Sequence, residues 1–163
     1  MYDIKDISLA PSGERKIEWV RRNMPILRSI QETFEREKPF TGLKVALSIH
    51  LEAKTAYLCR VLAAGGATMF ITGSNPLSTQ DDVAAALASG GLNVFARHAC
   101  TPEEYEAGIN SVVEGEPDIV IDDGGDIVNA LHNRYPELEK KIIGGCEETT
   151  TGIHRLVAME KDG

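Results

Sequence analysis

Four polar segments contain the residues whose side chains could take part in catalysis or bind a ligand. They are residues 50–54 (His-Leu-Glu-Ala-Lys), 74–81 (Ser-Asn-Pro-Leu-Ser-Thr-Gln-Asp), 122–126 (Asp-Asp-Gly-Gly-Asp) and 146–151 (Cys-Glu-Glu-Thr-Thr-Thr). A histidine titrates near neutral pH and could carry protons. Clustered carboxylates could act as a general base, accept a hydrogen bond from a sugar hydroxyl or hold a magnesium ion. Three consecutive threonines are unfavourable inside a helix but suit a strand-to-helix turn that faces a ligand.

Each segment also has an ordinary structural interpretation. Glu52 could simply stabilise the N-terminus of a helix, and residues 74–81 taken alone are best explained as a turn that leads into a helix. The Asp-Gly run at 122–126 could be a structural turn. The sequence contains neither a Gly-x-Gly-x-x-Gly dinucleotide loop nor a Walker loop. The domain is therefore not expected to hold a dinucleotide by itself in the usual way.

The elements that must position these segments alternate between strand and helix. Apolar runs predict strands at 44–49, 67–72, 92–96, 118–121 and 141–143, and helical periodicity predicts helices at 11–38, 52–64, 79–89, 102–113, 127–132 and 149–159. This alternation predicts a Rossmann-like α/β fold, a doubly wound and mostly parallel five-stranded sheet with helices on both faces and an N-terminal helical extension. Such sheets bind ligands beyond the carboxyl ends of their strands, where all four polar segments fall.

Two residues of the N-terminal helical segment carry specific expectations. Pro25 interrupts the helical pattern, which predicts a kink or two helices that meet there. Trp19 is expected to anchor this segment on the body of the domain. Both expectations concern the scaffold and not the chemistry.

Composition and charge limit the class of protein. The 163 residues are 42% hydrophobic and 26% charged, which is typical of one globular domain. The net charge of −8 argues against nonspecific nucleic-acid binding, and no apolar run is long enough to predict a membrane span. Cys59, Cys100 and Cys146 form no Cys-x-x-Cys pair, so neither a disulfide framework nor a zinc site is expected, and a reducing cytoplasm fits.

Taken together, the four segments resemble the N-terminal part of S-adenosylhomocysteine hydrolase, also called adenosylhomocysteinase. The matching blocks are residues 50–56, 75–81, 122–126 and 147–154, in the order and at the spacing of the family, and the resemblance covers essentially the whole chain. It implies the reversible hydrolysis of S-adenosyl-L-homocysteine to adenosine and L-homocysteine. In that reaction NAD oxidises the ribose 3′-hydroxyl, the C4′ proton is removed, the thiolate leaves, water adds and the hydride returns.

The resemblance also implies a role for each matching residue. His50 is expected to be a general acid and base near the 5′ leaving group, and Asp123 to bind the substrate near the ribose and take part in catalysis. Glu148 is expected to hold a ribose hydroxyl within the catalytic site. The substrate-binding set further includes Glu52 and Lys54, which lie where the family contacts the purine, and Asn75, while Thr149, Thr150 and Thr151 are expected to reach toward the NAD.

Two departures from the family pattern modify these expectations. Many members carry Thr and Glu where this chain has Glu52 and Lys54. A lysine only donates hydrogen bonds, which suits a 6-oxo purine, so S-inosyl-L-homocysteine is the alternative substrate. The Lys and Asp that complete the family's ribose site, and its NAD domain, do not occur in residues 1–163. We therefore expect a single substrate-binding domain that is inactive alone and does not bind NAD tightly.

Two other classes of function remain as hypotheses. One is a non-catalytic nucleoside-binding module. The other, which the sequence favours less, is a magnesium-dependent receiver or phosphatase-like domain built on Asp122, Asp123 and Asp126. The resemblance implies a nucleoside thioether as ligand and a homo-oligomer for the complete enzyme. No nucleic-acid, membrane or metal partner is expected. If the threonine run joins two domains, residues 149–151 should be poorly ordered or solvent-exposed in this chain, and a rigid, buried run would count against that interpretation.

Overall fold

A computed structural model describes residues 1–162 and contains a six-stranded, all-parallel sheet. Its strands are β1 (Tyr2–Ile4), β2 (Lys44–Ile49), β3 (Thr68–Gly73), β4 (Asn93–Ala96), β5 (Ile119–Asp122) and β6 (Gly144–Glu147). Their spatial order is β1-β4-β3-β2-β5-β6. The chain builds outward from β2 through β3 to β4 and then returns to place β5 on the other side of β2. The switch point between β2 and β5 is where open α/β sheets bind ligands.

Helices cover both faces of the sheet. They are α1 (Ala10–Asn23), α2 (Pro25–Glu37), α3 (Ala53–Ala64), α4 (Asp81–Ser89), α5 (Pro102–Val113), α6 (Asp126–Arg134), α7 (Pro136–Glu139) and α8 (Thr150–Asp162), and a 3₁₀ turn (Ile7–Leu9) precedes α1. Helices α3 and α4 lie on one face and are covered by α1 and α2, whereas α5 and α6 lie on the other. The doubly wound α/β fold predicted from the sequence is confirmed.

Alternate residues of the central strand β2 belong to two separate cores. Val45, Leu47 and Ile49 pack with α3 and α4, and Ala46 packs with α5 and α6. All four are at most 6% exposed, which is typical of a central parallel strand. Because both faces are covered by apolar contacts, the polar side chains that can meet a ligand gather at the carboxyl ends of the strands.

The predicted strands were wrong at both edges of the sheet. Strand β1 was missed because it is three residues long and only Ile4 of it is buried. The strand predicted at 141–143 is irregular chain, in which Ile143 is 69% exposed and its N–H donates to the carbonyl of Asp118. The edge strand is Gly144–Glu147, whose mostly exposed residues carry no apolar pattern. The sheet therefore has six strands and not five.

The N-terminal segment forms two helices at the proline, as predicted. Helix α1 ends at Asn23 and α2 begins at Pro25. The anchoring role expected for Trp19 was wrong, because its side chain is 67% exposed and Ile17 and Val20 form the buried face of α1. No helix within residues 1–162 has the length and apolar character needed to cross a membrane.

Candidate functional site

A histidine–aspartate pair lies at the switch point of the sheet. His50 directly follows β2 and Asp123 directly follows β5, which is the neighbouring strand. The Nε2 atom of His50 is 3.4 Å from Oδ2 of Asp123, and the two side chains are 52% and 10% exposed. An imidazole that is oriented by a carboxylate and open to solvent can exchange a proton with a bound ligand. The structure thus brings together His50 and Asp123, two of the three residues predicted to be catalytic, the third being Glu148.

Two serine hydroxyls hold this pair in place. The Nδ1 atom of His50 is 2.6 Å from Oγ of Ser78, and Oγ of Ser74 donates to Oδ2 of Asp123 at 2.8 Å. Ser74 follows β3, so three adjacent strands contribute to the site. Neither serine had a predicted role. The signal that could have identified Ser74 is its place two residues after a predicted strand, similar to the place of His50 directly after another.

Asn75 orders the loop that carries the two serines. Its side-chain Oδ1 accepts a hydrogen bond from the N–H of Leu77 at 2.8 Å. Its carbonyl accepts from the hydroxyls of Ser78 and Thr79, both at 3.0 Å. The turn interpretation of this loop is therefore confirmed, and the predicted contact between Asn75 and a substrate stays a prediction.

Glu52 caps helix α3. Its Oε1 accepts hydrogen bonds from the N–H groups of Lys54 at 3.0 Å and Thr55 at 3.2 Å, an arrangement that typically contributes about 1 kcal/mol. Glu52, exposed Lys54 and Trp19 also line an open cleft of about 630 Å³ between α1 and the start of α3. The structural interpretation of Glu52 is confirmed. The contact of Glu52 and Lys54 with a purine stays a prediction.

Asp122 is buried and holds the beginning of α6. It is 1% exposed, and its Oδ2 accepts from the N–H groups of Ile127 at 2.8 Å and Val128 at 3.1 Å. Its Oδ1 accepts from the N–H of Asp123 at 3.1 Å, which fixes the backbone beside the candidate catalytic carboxylate. Burial raises the pKa of Asp122 to about 6 even though these donors oppose the shift.

Asp122 should give the free energy of unfolding a pH dependence that Asp122→Asn removes. Because its folded-state pKa of about 6 lies above the usual value of 3.8, the folded state binds the proton more tightly. This stabilisation is complete below the unfolded-state pKa and is lost as the pH rises through 6. Between about pH 4.5 and about pH 7.5, urea unfolding should show the wild type losing about 2 kcal/mol relative to the variant. Parallel pH profiles for the two proteins would contradict the burial of this carboxyl group.

The carboxylates of residues 122–126 do not converge. Asp122 faces backbone N–H groups, and Asp126 accepts from the hydroxyl of Tyr105 at 2.7 Å and from Nη1 of Arg155 at 2.6 Å. Within residues 1–162, no three His, Cys, Asp or Glu side chains form a group that could hold a metal ion. The arrangement of these side chains gives a magnesium-dependent function no support.

The carboxylates of Glu147 and Glu148 have different surroundings. Oε1 of Glu147 accepts from the N–H of Gly124 at 2.9 Å, and from the N–H and hydroxyl of Thr149 at 2.9 and 2.8 Å. Burial opposes ionisation of Glu147, but these donors hold its pKa below the usual range. Glu148 is exposed, and its N–H donates to the carbonyl of Asp122 at 3.0 Å. The contact of Glu148 with a ribose hydroxyl stays a prediction, whereas Glu147, which had no predicted role, connects two loops.

The three threonines are not equivalent. The hydroxyl of Thr149 donates to Glu147 and accepts from the N–H of Gly152 at 2.9 Å, so it caps the first turn of α8. Thr150 and Thr151 are exposed on that turn. The exposure predicted for the run holds for Thr150 and Thr151 and was wrong for half-buried Thr149, because its hydroxyl is used inside the domain. Contacts between the three threonines and NAD stay a prediction.

Comparisons with known proteins agree with the resemblance. Residues 1–135 match the family model described as S-adenosyl-L-homocysteine hydrolase. The chain is 55% identical over 163 residues to the S-inosyl-L-homocysteine hydrolase of Methanocaldococcus jannaschii and 57% identical over 156 residues to that of Methanosarcina mazei. It is 50% identical over 163 residues to the adenosylhomocysteinase of Aquifex aeolicus.

These alignments cover nearly all of this chain but a smaller part of each relative. The shares are 100%, 95% and 99% of this chain and 39%, 38% and 39% of the relatives, so the chain spans about two fifths of their length. The family model includes His50 and Asp123, and the alignment with the Methanocaldococcus jannaschii protein extends through Glu148 and the threonines. On matches of this extent and identity, the chain belongs to the S-adenosyl-L-homocysteine hydrolase family.

Proposed function

We propose that residues 1–163 are the substrate-binding domain of an enzyme that hydrolyses a nucleosyl-L-homocysteine thioether to the nucleoside and L-homocysteine. The observation that carries this proposal is the His50–Asp123 pair at the switch point, with exposed Glu148 at the end of the next strand. Relatives named for this activity on adenosyl or inosyl substrates support it. The same arrangement also fits a module that binds a nucleoside without chemistry, so the test must measure turnover.

Each residue of the site has a chemical task in this proposal. His50 has a half-exposed ring that can give a proton to the leaving group at the 5′ position and take one from the attacking water. Asp123, held by Ser74, keeps the imidazole oriented. The exposed carboxylate of Glu148 can accept a hydrogen bond from a ribose hydroxyl.

NAD is the cofactor that would serve this reaction: when bound, it would supply the oxidation at the ribose 3′ carbon that makes the neighbouring C–H bond acidic. Thr150 and Thr151 expose hydroxyls on the first turn of α8, where unpaired N–H groups suit a polar or anionic ligand. No strand in residues 1–162 is followed by a Gly-x-Gly-x-x-Gly loop. These threonines would therefore contact NAD at one edge, and we place its main binding residues in a second domain of a longer polypeptide.

A chimeric enzyme tests the proposal. Residues 1–163 joined to the remaining residues of the Methanocaldococcus jannaschii relative should release homocysteine from an adenosyl or inosyl thioether when NAD is present, as measured with a thiol reagent. Residues 1–163 alone, with NAD added, should release none. Turnover by residues 1–163 alone would contradict the division of tasks between domains. A folded chimera that binds NAD and shows no turnover would favour the non-catalytic module.

Lys54 should favour the inosyl over the adenosyl substrate. Its ammonium group can donate to the 6-oxo group of hypoxanthine, whereas the 6-amino group of adenine needs an acceptor. In the chimera, Lys54→Glu should shift the ratio of kcat/KM for the two substrates toward the adenosyl thioether by about tenfold or more. Lys161→Glu makes the same charge change at an exposed position of α8 and should leave the ratio unchanged. A kcat/KM that is much higher for the adenosyl than for the inosyl thioether in the unsubstituted chimera would contradict the inosyl assignment.

A further inference from the structure

The backbone beside Asp123 is held from the β6–α8 side. The N–H of Gly124 donates to Oε1 of Glu147 at 2.9 Å, and its carbonyl accepts from Nη1 of Arg155 at 3.0 Å. Gly124 and Gly125 have φ values of +105° and +76°, which few other residues adopt. Two consecutive glycines have wide conformational freedom, so contacts from another element must select the shape of this loop.

Glu147 is closely packed in its position between the two loops. Besides Gly124, its Oε1 accepts from both the N–H and the hydroxyl of Thr149. Gly152 faces the same carboxylate, and a Cβ atom at Gly152 would lie 2.1 Å from Cδ of Glu147. Within residues 1–162, Oε2 of Glu147 is buried and has no hydrogen-bond partner. The hydrogen bonds of this half-buried carboxylate all go to backbone N–H groups and to the hydroxyl of Thr149. Glu147 is therefore suited to joining two segments of the chain and not to binding a ligand.

We infer that Glu147 is a positioning residue that fixes Asp123 relative to Glu148. Glu148 follows it directly, and the N–H of Glu148 donates to the carbonyl of Asp122, so the two loops lie side by side. Arg155 holds the other end of the same glycine loop. This inference rests on the proposed function, since it requires a nucleoside that contacts both Asp123 and Glu148. Without the Glu147 carboxylate, the loop samples other conformations and the ligand must bear the cost of ordering it.

Two substitutions at Glu147 separate positioning from folding. Glu147→Gln keeps an acceptor oxygen for the N–H of Gly124, whereas Glu147→Ala removes it. Amide hydrogen exchange at Gly124 should accelerate by about tenfold or more in the alanine variant and stay near the wild-type rate in the glutamine variant. In titrations of the 163-residue protein followed by NMR, the Kd for inosine should rise about fivefold or more in the alanine variant alone. Val113→Ala, a core substitution in α5, should lower Tm without changing this Kd.

The outcomes distinguish this inference from the proposed function. If the wild-type protein binds neither inosine nor adenosine, the role of Glu147 is overturned, whereas turnover by the chimera still decides the proposed function. If the wild type binds and Glu147→Ala binds equally well, the positioning role is overturned while the proposed function stands. The same conclusion follows if Val113→Ala weakens binding as much as Glu147→Ala does, because general destabilisation would then explain the effect.

Discussion

Asp123→Asn in the chimera should lower kcat by about a hundredfold or more, with a smaller effect on KM. The asparagine has the shape of the aspartate and can still accept a hydrogen bond from Ser74, but it lacks the negative charge that lies 3.4 Å from Nε2 of His50. Proton transfer at the 5′ position should suffer more than binding. Steady-state kinetics on both thioethers, with saturating NAD and over a range of pH, measure the two parameters separately.

Asp118, a carboxylate at the other end of strand β5, provides the control for the Asp123→Asn substitution. Asp118 lies just before β5, at the opposite end from Asp123, and accepts a hydrogen bond from the N–H of Lys44. Asp118→Asn should therefore leave kcat within about threefold of the unsubstituted chimera. If Asp123→Asn is equally active, the His50–Asp123 pair does not carry the chemistry.

Gly13→Ala should lower the free energy of unfolding by about 3 kcal/mol or more, although alanine is a better helix former than glycine by about 1 kcal/mol. A Cβ atom at Gly13 would lie 1.9 Å from the carbonyl oxygen of Asp82 and 2.9 Å from Cα of Val83. Both are backbone atoms, so no flexible side chain can move aside and α1 must shift away from α4. The hydrogen bond of 2.8 Å from Ser12 to Asp82 would be disturbed as well.

Gly144→Ala is the matched control for Gly13→Ala, which tests how closely α1 and α4 cross. Gly144 lies in the edge strand β6, and a Cβ atom there would have no heavy atom within 4 Å. Urea unfolding should place this variant within about 0.5 kcal/mol of the wild type. Equal stability of the Gly13→Ala and Gly144→Ala variants would show that the two helices do not cross as closely as the structure indicates.

The centre of the fold was predictable because the central strands are continuous apolar runs between turn residues. The edges were not, because a three-residue strand such as β1 is defined by its pairing with β4 and carries almost no pattern of its own. The same is true of β6, which contains two glycines and forms by pairing with β5. The error at Trp19 had a signal, since this residue lies off the stripe of Ile17 and Val20 that faces the core.

The site was predictable as a set of strand ends, and its internal connections were not. His50, Asp123 and Glu148 follow the ends of strands, and the parallel topology brings such ends to one edge of the sheet. The different surroundings of Glu147 and Glu148 could not be predicted from the sequence, because the two side chains are chemically identical and neighbours in sequence. Which of them faces Gly124 depends on the register of β6 against β5, and register is a tertiary property.

In the proposed function, a nucleoside binds at the carboxyl ends of β2, β3, β5 and β6. The most direct test is an NMR titration of the ¹⁵N-labelled 163-residue protein with inosine. The largest amide shift changes should fall within residues 50–54, 74–80, 122–125 and 147–151, and Asp123→Ala should reduce them at every inosine concentration. Changes confined to the amino ends of the strands, or none at millimolar inosine and adenosine, would contradict the claim.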